Sequence, residues 1–176
     1  MKSALEKMLD ALRLGDSVTF NALRAANSGL KIITHPVDGK FLEIADRDLS
    51  GFDLKGMRLI AVLFVKVDFH SVSLERVDCT ECIFTDCRFT GNETRKLILR
   101  ECLFRGCRFL KVTFTRIDVQ GTVFTDETTF DNCQFFGFAA AQAMWGAVRI
   151  SPQEELLRLR TLVTRGIKGP KRAKKG

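Results

Sequence analysis

From residue 40 onwards, two positions in every five are apolar. When the chain is cut into fives from Lys40, the last residue of the first seventeen blocks is apolar sixteen times, and Thr94 is the exception. A chain that is 45% hydrophobic would reach about eight by chance. The five-residue period is therefore stronger evidence for the fold than local secondary-structure propensity. The third residue of each block is also mostly apolar or small, as at Val62, Val67 and Val72. A five-residue repeat therefore governs the fold.

A period of five fits neither the α-helix, which repeats every 3.6 residues, nor the β-strand, which repeats every two. It fits a chain that turns a corner every five residues, with two inward residues on each short strand. Four such sides would close a square coil, and coils would stack about 4.8 Å apart. Each coil would then contact only its neighbours, as expected for a solenoid.

Three segments carry a family resemblance: Val67-Asp68-Phe69, Val77-Asp78-Cys79 and Ile117-Asp118-Val119. They resemble the unit A-(D/N)-L-x-x of the pentapeptide-repeat family, and the resemblance covers residues 42–138. It implies an all-β solenoid, a right-handed quadrilateral parallel β-helix. Val and Cys stand where the family prefers Ala, and Phe where it often has Leu, which indicates a bulkier interior.

Phenylalanines twenty residues apart should stack in interior columns. One predicted core ladder consists of Phe64, Phe84, Phe104 and Phe124. A second column contains Leu49, Phe69, Phe89 and Phe109. Such columns bury large aromatic areas and fill the interior, so we expect no cofactor slot.

Two irregularities interrupt the repeat. Residues 90–94 place Asn92 and Thr94 at inward positions, which predicts a local bulge that is either a tolerated defect or a recognition loop. Phe124 and Phe130 are six residues apart instead of five, which predicts one extra residue bulging out near 126–129.

The ends of the solenoid need caps, because an open end exposes core and unpaired strand edges. We assign residues 1–41 to an N-terminal helical cap and lead-in, 42–138 to the solenoid, 139–164 to a C-terminal helical cap and 165–176 to a disordered basic tail. The first helix carries the stripe Leu5, Met8, Leu9 and Leu12. The second starts at Asp16 or Ser17 and should end at Gly29. Helices are also expected over residues 138–148 and after Ser151. Short α-helices would thus cap both ends.

All six cysteines fall at inward positions: Cys79, Cys82, Cys87, Cys102, Cys107 and Cys133. They are interpreted as small buried hydrophobes. A metal site at Cys79-x2-Cys82 and disulfides pairing Cys82 with Cys102 and Cys87 with Cys107 are the alternatives.

Catalytic motifs are not found in the sequence. His35 and His70 are isolated, and there is no Gly-rich phosphate loop, nucleophile elbow or His-Glu metal motif. We expect no enzymatic activity, no metal and no cofactor.

Basic charge is concentrated at the C-terminus. Residues 139–176 hold nine basic and two acidic groups, whereas residues 48–138 hold twelve and thirteen. Seven cations form a candidate basic patch within the solenoid: Arg95, Lys96, Arg100, Arg105, Arg108, Lys111 and Arg116. It is either a solvated face or a nucleic-acid footprint.

With no long apolar segment, no membrane span is expected. A cytoplasmic location is expected, with secretion by a specialised system left open.

An apolar column is predicted on the outside of the solenoid. Its members occupy the fourth block position and lie twenty residues apart: Leu63, Ile83, Leu103 and Val123. Outward apolar stripes usually cover an interface or lie under another element. A terminal helix of the same chain, a second copy in a homodimer and another partner are the candidates to cover it.

These features favour a non-catalytic protein-protein interaction module or adaptor with an unidentified partner, or a secreted or secretion-associated factor. The family resemblance implies an alternative, since some members mimic duplex DNA, bind DNA gyrase and protect it from quinolones. Mimicry requires a strongly acidic surface, because duplex DNA carries one charge per about 1.7 Å. The near-neutral solenoid disfavours it. Direct nucleic-acid binding through residues 95–116 and the tail is the third hypothesis.

Overall fold

The computed structural model of the chain describes residues 2–34, 41–140, 142–146 and 148–150. Over these residues the fold is a parallel β-solenoid of about five turns with two short helices, which confirms the solenoid prediction. The helices are α1 (Ala4–Leu14) and α2 (Ser17–Ala26). The strands are β1 (Ile32–Thr34), β2 (Leu42–Ala45), β3 (Arg58–Ile60), β4 (Val62–Val65), β5 (Asp78–Thr80), β6 (Ile83–Thr85), β7 (Arg88–Thr90), β8 (Glu93–Arg95), β9 (Ile98–Arg100), β10 (Leu103–Arg105), β11 (Arg108–Leu110), β12 (Thr113–Asp118), β13 (Val123–Phe124), β14 (Thr129–Asp131), β15 (Gln134–Ala139), β16 (Ala143–Trp145) and β17 (Val148–Ile150).

The corners of the coil explain the five-residue period. Residues with positive φ recur at every fifth position from Asp46 to Gly121. This left-handed conformation turns the chain, and it is unfavourable for residues other than glycine by about 1–2 kcal/mol each. The ladder of inter-coil hydrogen bonds and the buried core must offset that energy at corners such as Ala61 and Lys66.

Successive coils pair in register. On one side β4, β6, β10 and β13 are hydrogen-bonded neighbours, with Phe64 opposite Phe84, Phe84 opposite Phe104, and Phe104 opposite Phe124. The rings of Phe84 and Phe104 are stacked with centroids 4.6 Å apart. On the next side, the rings of Phe89 and Phe109 stack at 4.5 Å. Buried aromatic columns therefore occupy the interior of the coil.

The extra residue lies between β13 and β14. Phe104 pairs with Phe124 twenty residues on, whereas Phe109 pairs with Phe130 twenty-one residues on. The Gly106 N–H compensates by donating to the Thr125 hydroxyl at 3.3 Å. The predicted one-residue insertion near residues 126–129 is confirmed.

The bulge predicted at residues 90–94 is wrong. β8 pairs in register with β12, and both Asn92 and Thr94 are buried. The Asn92 side-chain amide donates to the carbonyl oxygens of Phe69 at 2.6 Å and Val72 at 3.0 Å, which lie one coil earlier. The strand stays in register, although the Asn92 Oδ1 and the Thr94 hydroxyl have no hydrogen-bond partner among the described residues. A small internal cavity of about 10 Å³ borders Thr94.

The N-terminal cap consists of α1 and α2. A capping box at Ser3 and Glu6 begins α1, which buries Met8, Leu9 and Leu12. The Asp16 carboxylate caps α2 by accepting from the Thr19 N–H. The second helix ends at Ala26 instead of continuing to Gly29, because the Asn27 N–H bonds the carbonyl of Arg24 and closes the helix there.

Hydrogen bonds and aromatic packing join the N-terminal cap to the first coil. The Arg47 side chain donates to the carbonyl oxygen of Arg13 at 2.6 Å, and Arg24 bonds Asp53 at 2.9 Å. The ring of Phe20 packs 5.2 Å from that of Phe52. β1 pairs with β3, so strand pairing begins within the segment assigned to the lead-in.

The helix predicted over residues 138–148 is wrong. β15 continues to Ala139, β16 pairs with β13, and β17 returns antiparallel to β16. The N–H of Met144 bonds the carbonyl oxygen of Thr122 at 2.8 Å, and this inter-coil bond outweighs the local helix propensity of the alanine-rich segment. The helix expected after Ser151 and the tail at 165–176 lie outside the described residues. No helix in the described ranges is long and apolar enough to cross a membrane.

Candidate interaction surfaces

One side of the solenoid presents an apolar column to the outside. Leu63, Ile83, Leu103 and Val123 lie opposite one another in consecutive coils of the sheet that contains β4, β6, β10 and β13. Each sits between two inward residues, so the strand pleat directs it outward, and each is half-buried. We call this sheet face the apolar side.

Met144 extends the column by one coil. It pairs with Val123 and is also half-buried. Sequence reasoning missed it because residues 138–148 were expected to be helical. The signal was Ala143-x-Trp145, two apolar residues two apart that continue the repeat after Phe124.

The column has polar margins. Glu43 pairs with Leu63 from the coil before it and is exposed. Arg105 lies two residues after Leu103 on β10. Val65 and Ile60 flank it and are half-buried. The apolar side is therefore a narrow stripe that runs along the solenoid axis and is bounded by charge.

The seven cations of the candidate basic patch do not form one surface. Arg100, Arg105 and Arg108 lie on β9, β10 and β11, which belong to three different sides. Two of them are also paired, because Arg100 lies 2.7 Å from Asp118 and Arg108 lies 3.1 Å from Asp131. Lys111 sits at another corner.

Three cations do stack along one corner. Arg76, Lys96 and Arg116 occupy the same corner in consecutive coils, each with a φ of +56° and each exposed. Gly56 and Gly137 occupy that corner in the coils before and after. We call this row the basic corner. Arg76 lay outside the sequence-based patch because it stands twenty residues before Lys96, where the local charge is balanced.

One acidic group lies next to the basic corner. Glu75 is 2.6 Å from Lys55 and 3.8 Å from Arg76. The Lys55 ammonium holds the pKa of the Glu75 carboxyl below its ordinary value. Among the described residues, no carboxylate lies within ion-pair distance of Lys96 or Arg116.

The cysteines are buried thiols that donate to backbone carbonyls. The Cys82 thiol lies 3.1 Å from the carbonyl oxygen of Leu59, and the Cys102 thiol 3.0 Å from that of Cys79. Burial raises the pKa of Cys133 to about 11 and that of Cys102 well above its ordinary value. All six are free thiols. Within the described part of the chain, no cluster of His, Cys, Asp and Glu could hold a metal ion.

The repeat itself matches a known family. Residues 53–91 match the family model for pentapeptide repeats, with eight copies. That segment lies wholly within the solenoid, where the left-handed corners recur every five residues. This stretch of the chain is made of pentapeptide repeats. No curated protein matches it. These repeats account for the coil geometry of that stretch and leave the partner to be inferred from the surface.

Proposed function

We propose that this protein is a non-catalytic protein-interaction module whose partner docks on the apolar side. The observation that carries the proposal is the unbroken outward column from Leu63 to Met144. On a regular rod, outward positions are normally polar, so five consecutive coils without charge at the midline of one side favour contact with another apolar surface.

The dimensions of the column favour an amphipathic helix as the docking element. Five coils at strand spacing cover about 19 Å, which is the length of a helix of about thirteen residues. The helix pitch of about 5.4 Å is close to the coil spacing of about 4.8 Å. A helix lying along the axis would therefore place one apolar residue per turn against each coil.

The width of the column argues against a dimer formed through this side alone. A stable interface usually buries about 800 Å² on each partner. A stripe about 19 Å long and one or two side chains wide offers less than that. A partner helix that uses the stripe as its central anchor, with a polar rim, fits better.

The charge of the solenoid disfavours duplex mimicry. Among the described residues the basic corner places Arg76, Lys96 and Arg116 in line, which is opposite in sign to a phosphate backbone. Inhibition of gyrase supercoiling by the purified protein would be the observation in favour of that alternative.

The test uses two matched double variants. Leu63→Gln with Leu103→Gln places polar groups in the apolar column. Ser73→Gln with Thr113→Gln makes the same change in the same two coils on the side that contains Thr113, two corners away. Each full-length protein is used to capture partners from a nuclease-treated native lysate, with cross-linking and mass spectrometry to locate the contact.

We expect wild type and the Ser73/Thr113 variant to capture the same stoichiometric protein, cross-linked through a helical segment, and the Leu63/Leu103 variant to lose it. Retention of that protein by the Leu63/Leu103 variant would overturn the proposal. So would faster hydrogen exchange in residues 151–164 of the isolated Leu63/Leu103 variant, since the chain's own C-terminal segment would then cover the column. Loss of self-association in light scattering would assign the column to a second copy.

A further inference from the structure

A single exposed aromatic ring lies beside the basic corner. Phe136 is 51% exposed and pairs in register with Thr115, the residue before Arg116. Gly137, which follows Phe136, packs directly over Arg116: a Cβ built on it would lie 3.6 Å from the Arg116 Cα. The ring is therefore at the C-terminal end of the row of cations.

We propose that the basic corner and Phe136 together bind single-stranded nucleic acid without sequence preference. Proteins of this binding class combine a row of cations along the phosphate backbone with aromatic side chains on which bases stack. Here Arg76, Lys96 and Arg116 supply the row and Phe136 supplies the platform. This site is separate from the apolar side and does not rest on the interaction proposed there.

The spacing of the cations suits an extended strand. Three coils at about 4.8 Å place the outer two cations about 10 Å apart along the axis, within reach of neighbouring phosphates for long, exposed side chains. Arg95 precedes Lys96 and is also exposed, so it adds a fourth cation beside the row. Glu75 opposes the row at its N-terminal end, but its closest contact is Lys55 at 2.6 Å.

A single strand is favoured over a duplex because of Phe136. An exposed ring can stack on an unpaired base, whereas the bases of a duplex are already stacked and present only their edges. The cations alone would contact the phosphates of either form and would not distinguish a single strand from a duplex.

The experiment measures the affinity of the full-length protein for a fluorescent mixed-sequence single-stranded oligonucleotide and for its duplex, at salt concentrations from about 50 to 200 mM. The first variant carries Arg76→Gln, Lys96→Gln and Arg116→Gln. Its control carries Lys66→Gln, Arg105→Gln and Lys111→Gln, three exposed cations away from the basic corner whose removal changes the net charge equally.

We expect the salt dependence of single-strand binding to be weaker in the basic-corner variant than in wild type, while the control retains it. Each lost phosphate contact should lower the slope of log affinity against log salt by about 0.7, so three contacts correspond to about 20-fold between those salt concentrations. Equal weakening by both variants would overturn the proposal, since only net charge or the basic tail would then matter.

The stacking half of the proposal has its own matched pair. Phe136→Ala should weaken single-strand binding about 5- to 150-fold and leave duplex binding unchanged. Phe41→Ala removes another exposed ring, 42% exposed and at the opposite end of the solenoid, and should change neither. If Phe136→Ala leaves single-strand binding unchanged, or weakens duplex binding as much, the single-strand assignment is wrong.

Discussion

Several inward side chains with a hydrogen-bond donor bond carbonyl groups of the preceding coil. Cys82, Cys102 and Thr122 follow one another in a single interior column, and each donates to a carbonyl oxygen 23 residues earlier in the chain. Where a backbone N–H already bonds the carbonyl oxygen at the corner, the inward side chain of the next coil does not have to supply a donor. The Met57 N–H bonds the carbonyl oxygen of Leu54 at 2.9 Å, and the inward residue 23 positions after Leu54 is Val77.

This pattern explains why cysteine replaces purely apolar residues at several inward positions. A thiol has the size of a small hydrophobe and still carries a weak donor. A hydrogen bond from such a donor to a buried carbonyl contributes about 0.5–1.5 kcal/mol. The cysteines therefore have a structural role that requires neither metal nor disulfide.

Substitution of Cys102 by two residues of equal shape tests this role. Cys102→Thr keeps a donor, as Thr122 does in the next coil, and should unfold within about 1 kcal/mol of wild type. Cys102→Val should lower the free energy of unfolding by about 0.5–1.5 kcal/mol relative to the Thr variant, because the carbonyl of Cys79 loses the hydrogen bond from this side chain. Denaturant titration measures both, and equal stabilities would contradict the hydrogen-bond interpretation.

Asn92 should be intolerant of a negative charge. In Asn92→Asp a carboxylate would face the carbonyl oxygens of Phe69 and Val72, which now accept from the amide. We expect a loss of about 3 kcal/mol or more at neutral pH, because a buried charge has no compensating donor.

The pH dependence of that loss has a definite sign. Burial should raise the pKa of the new carboxyl above its unfolded value of about 3.9, so the penalty is largest above the folded pKa. It should shrink as pH falls towards the unfolded pKa, because the folded state then takes up the proton first. The control Asn132→Asp, at an exposed corner, should show little change between pH 4 and pH 8. Similar pH profiles for the two variants would refute the prediction.

At the scale of elements, the two described ends of the solenoid are closed differently. The N-terminal end is covered by α1 and α2, which bury apolar side chains such as Met8 and Phe20. At the other end, β17 pairs antiparallel with β16 and so occupies the edge that a further parallel coil would have used. Both devices remove unpaired strand edges, which would otherwise recruit other chains.

The N-terminal cap should contribute strongly to stability. Phe20→Ala removes a fully buried ring that packs 5.2 Å from Phe52, and should lower the free energy of unfolding by about 3–5 kcal/mol. Val18→Ala, on the same helix but 79% exposed, should change it by less than about 0.5 kcal/mol. Thermal and denaturant unfolding measure both. A Phe20 variant as stable as the Val18 variant would mean that the cap is not coupled to the solenoid.

The molecule as a whole is a one-dimensional stack. Each coil contacts the coil before and the coil after, so stability should depend on how many neighbours a residue has along the axis. Phe104 stacks on Phe84 at 4.6 Å and on Phe124 at 5.0 Å, and meets Phe89 and Phe109 at an angle. Phe64, in the first coil of this ladder, meets the rings of Phe69 and Phe84.

Position along the stack should therefore set the effect of losing a ring. Both Phe64→Ala and Phe104→Ala remove fully buried side chains, and each should be destabilising by about 3–5 kcal/mol. We expect Phe104→Ala to be worse by about 1–2 kcal/mol, because it loses two more ring contacts. Equilibrium unfolding in denaturant ranks the two. The reverse order would show that stability is not distributed by neighbour contacts.

The solenoid, its phenylalanine columns and the position of the extra residue could be predicted from the sequence. The reason is that a repeat imposes the same environment on every fifth residue, so many weak local signals point to one geometry. The spacing of Phe124 and Phe130 located the insertion because a single phase shift is visible against so regular a background. The four outward apolar residues lie in register for the same reason.

Where a local preference conflicts with contacts to a neighbouring coil, only the tertiary structure decided the conformation. The alanine-rich segment around Met144 favours a helix by itself, but the open edge of β13 offers hydrogen bonds that make it a strand. Asn92 would force a bulge in isolation, yet carbonyls of the preceding coil accept its amide. Charges near one another in sequence point to different sides, whereas Arg76 and Arg116, forty residues apart, share one corner. The five-residue period determines the coil, and contacts between coils determine the conformation and partners of each residue that departs from the repeat.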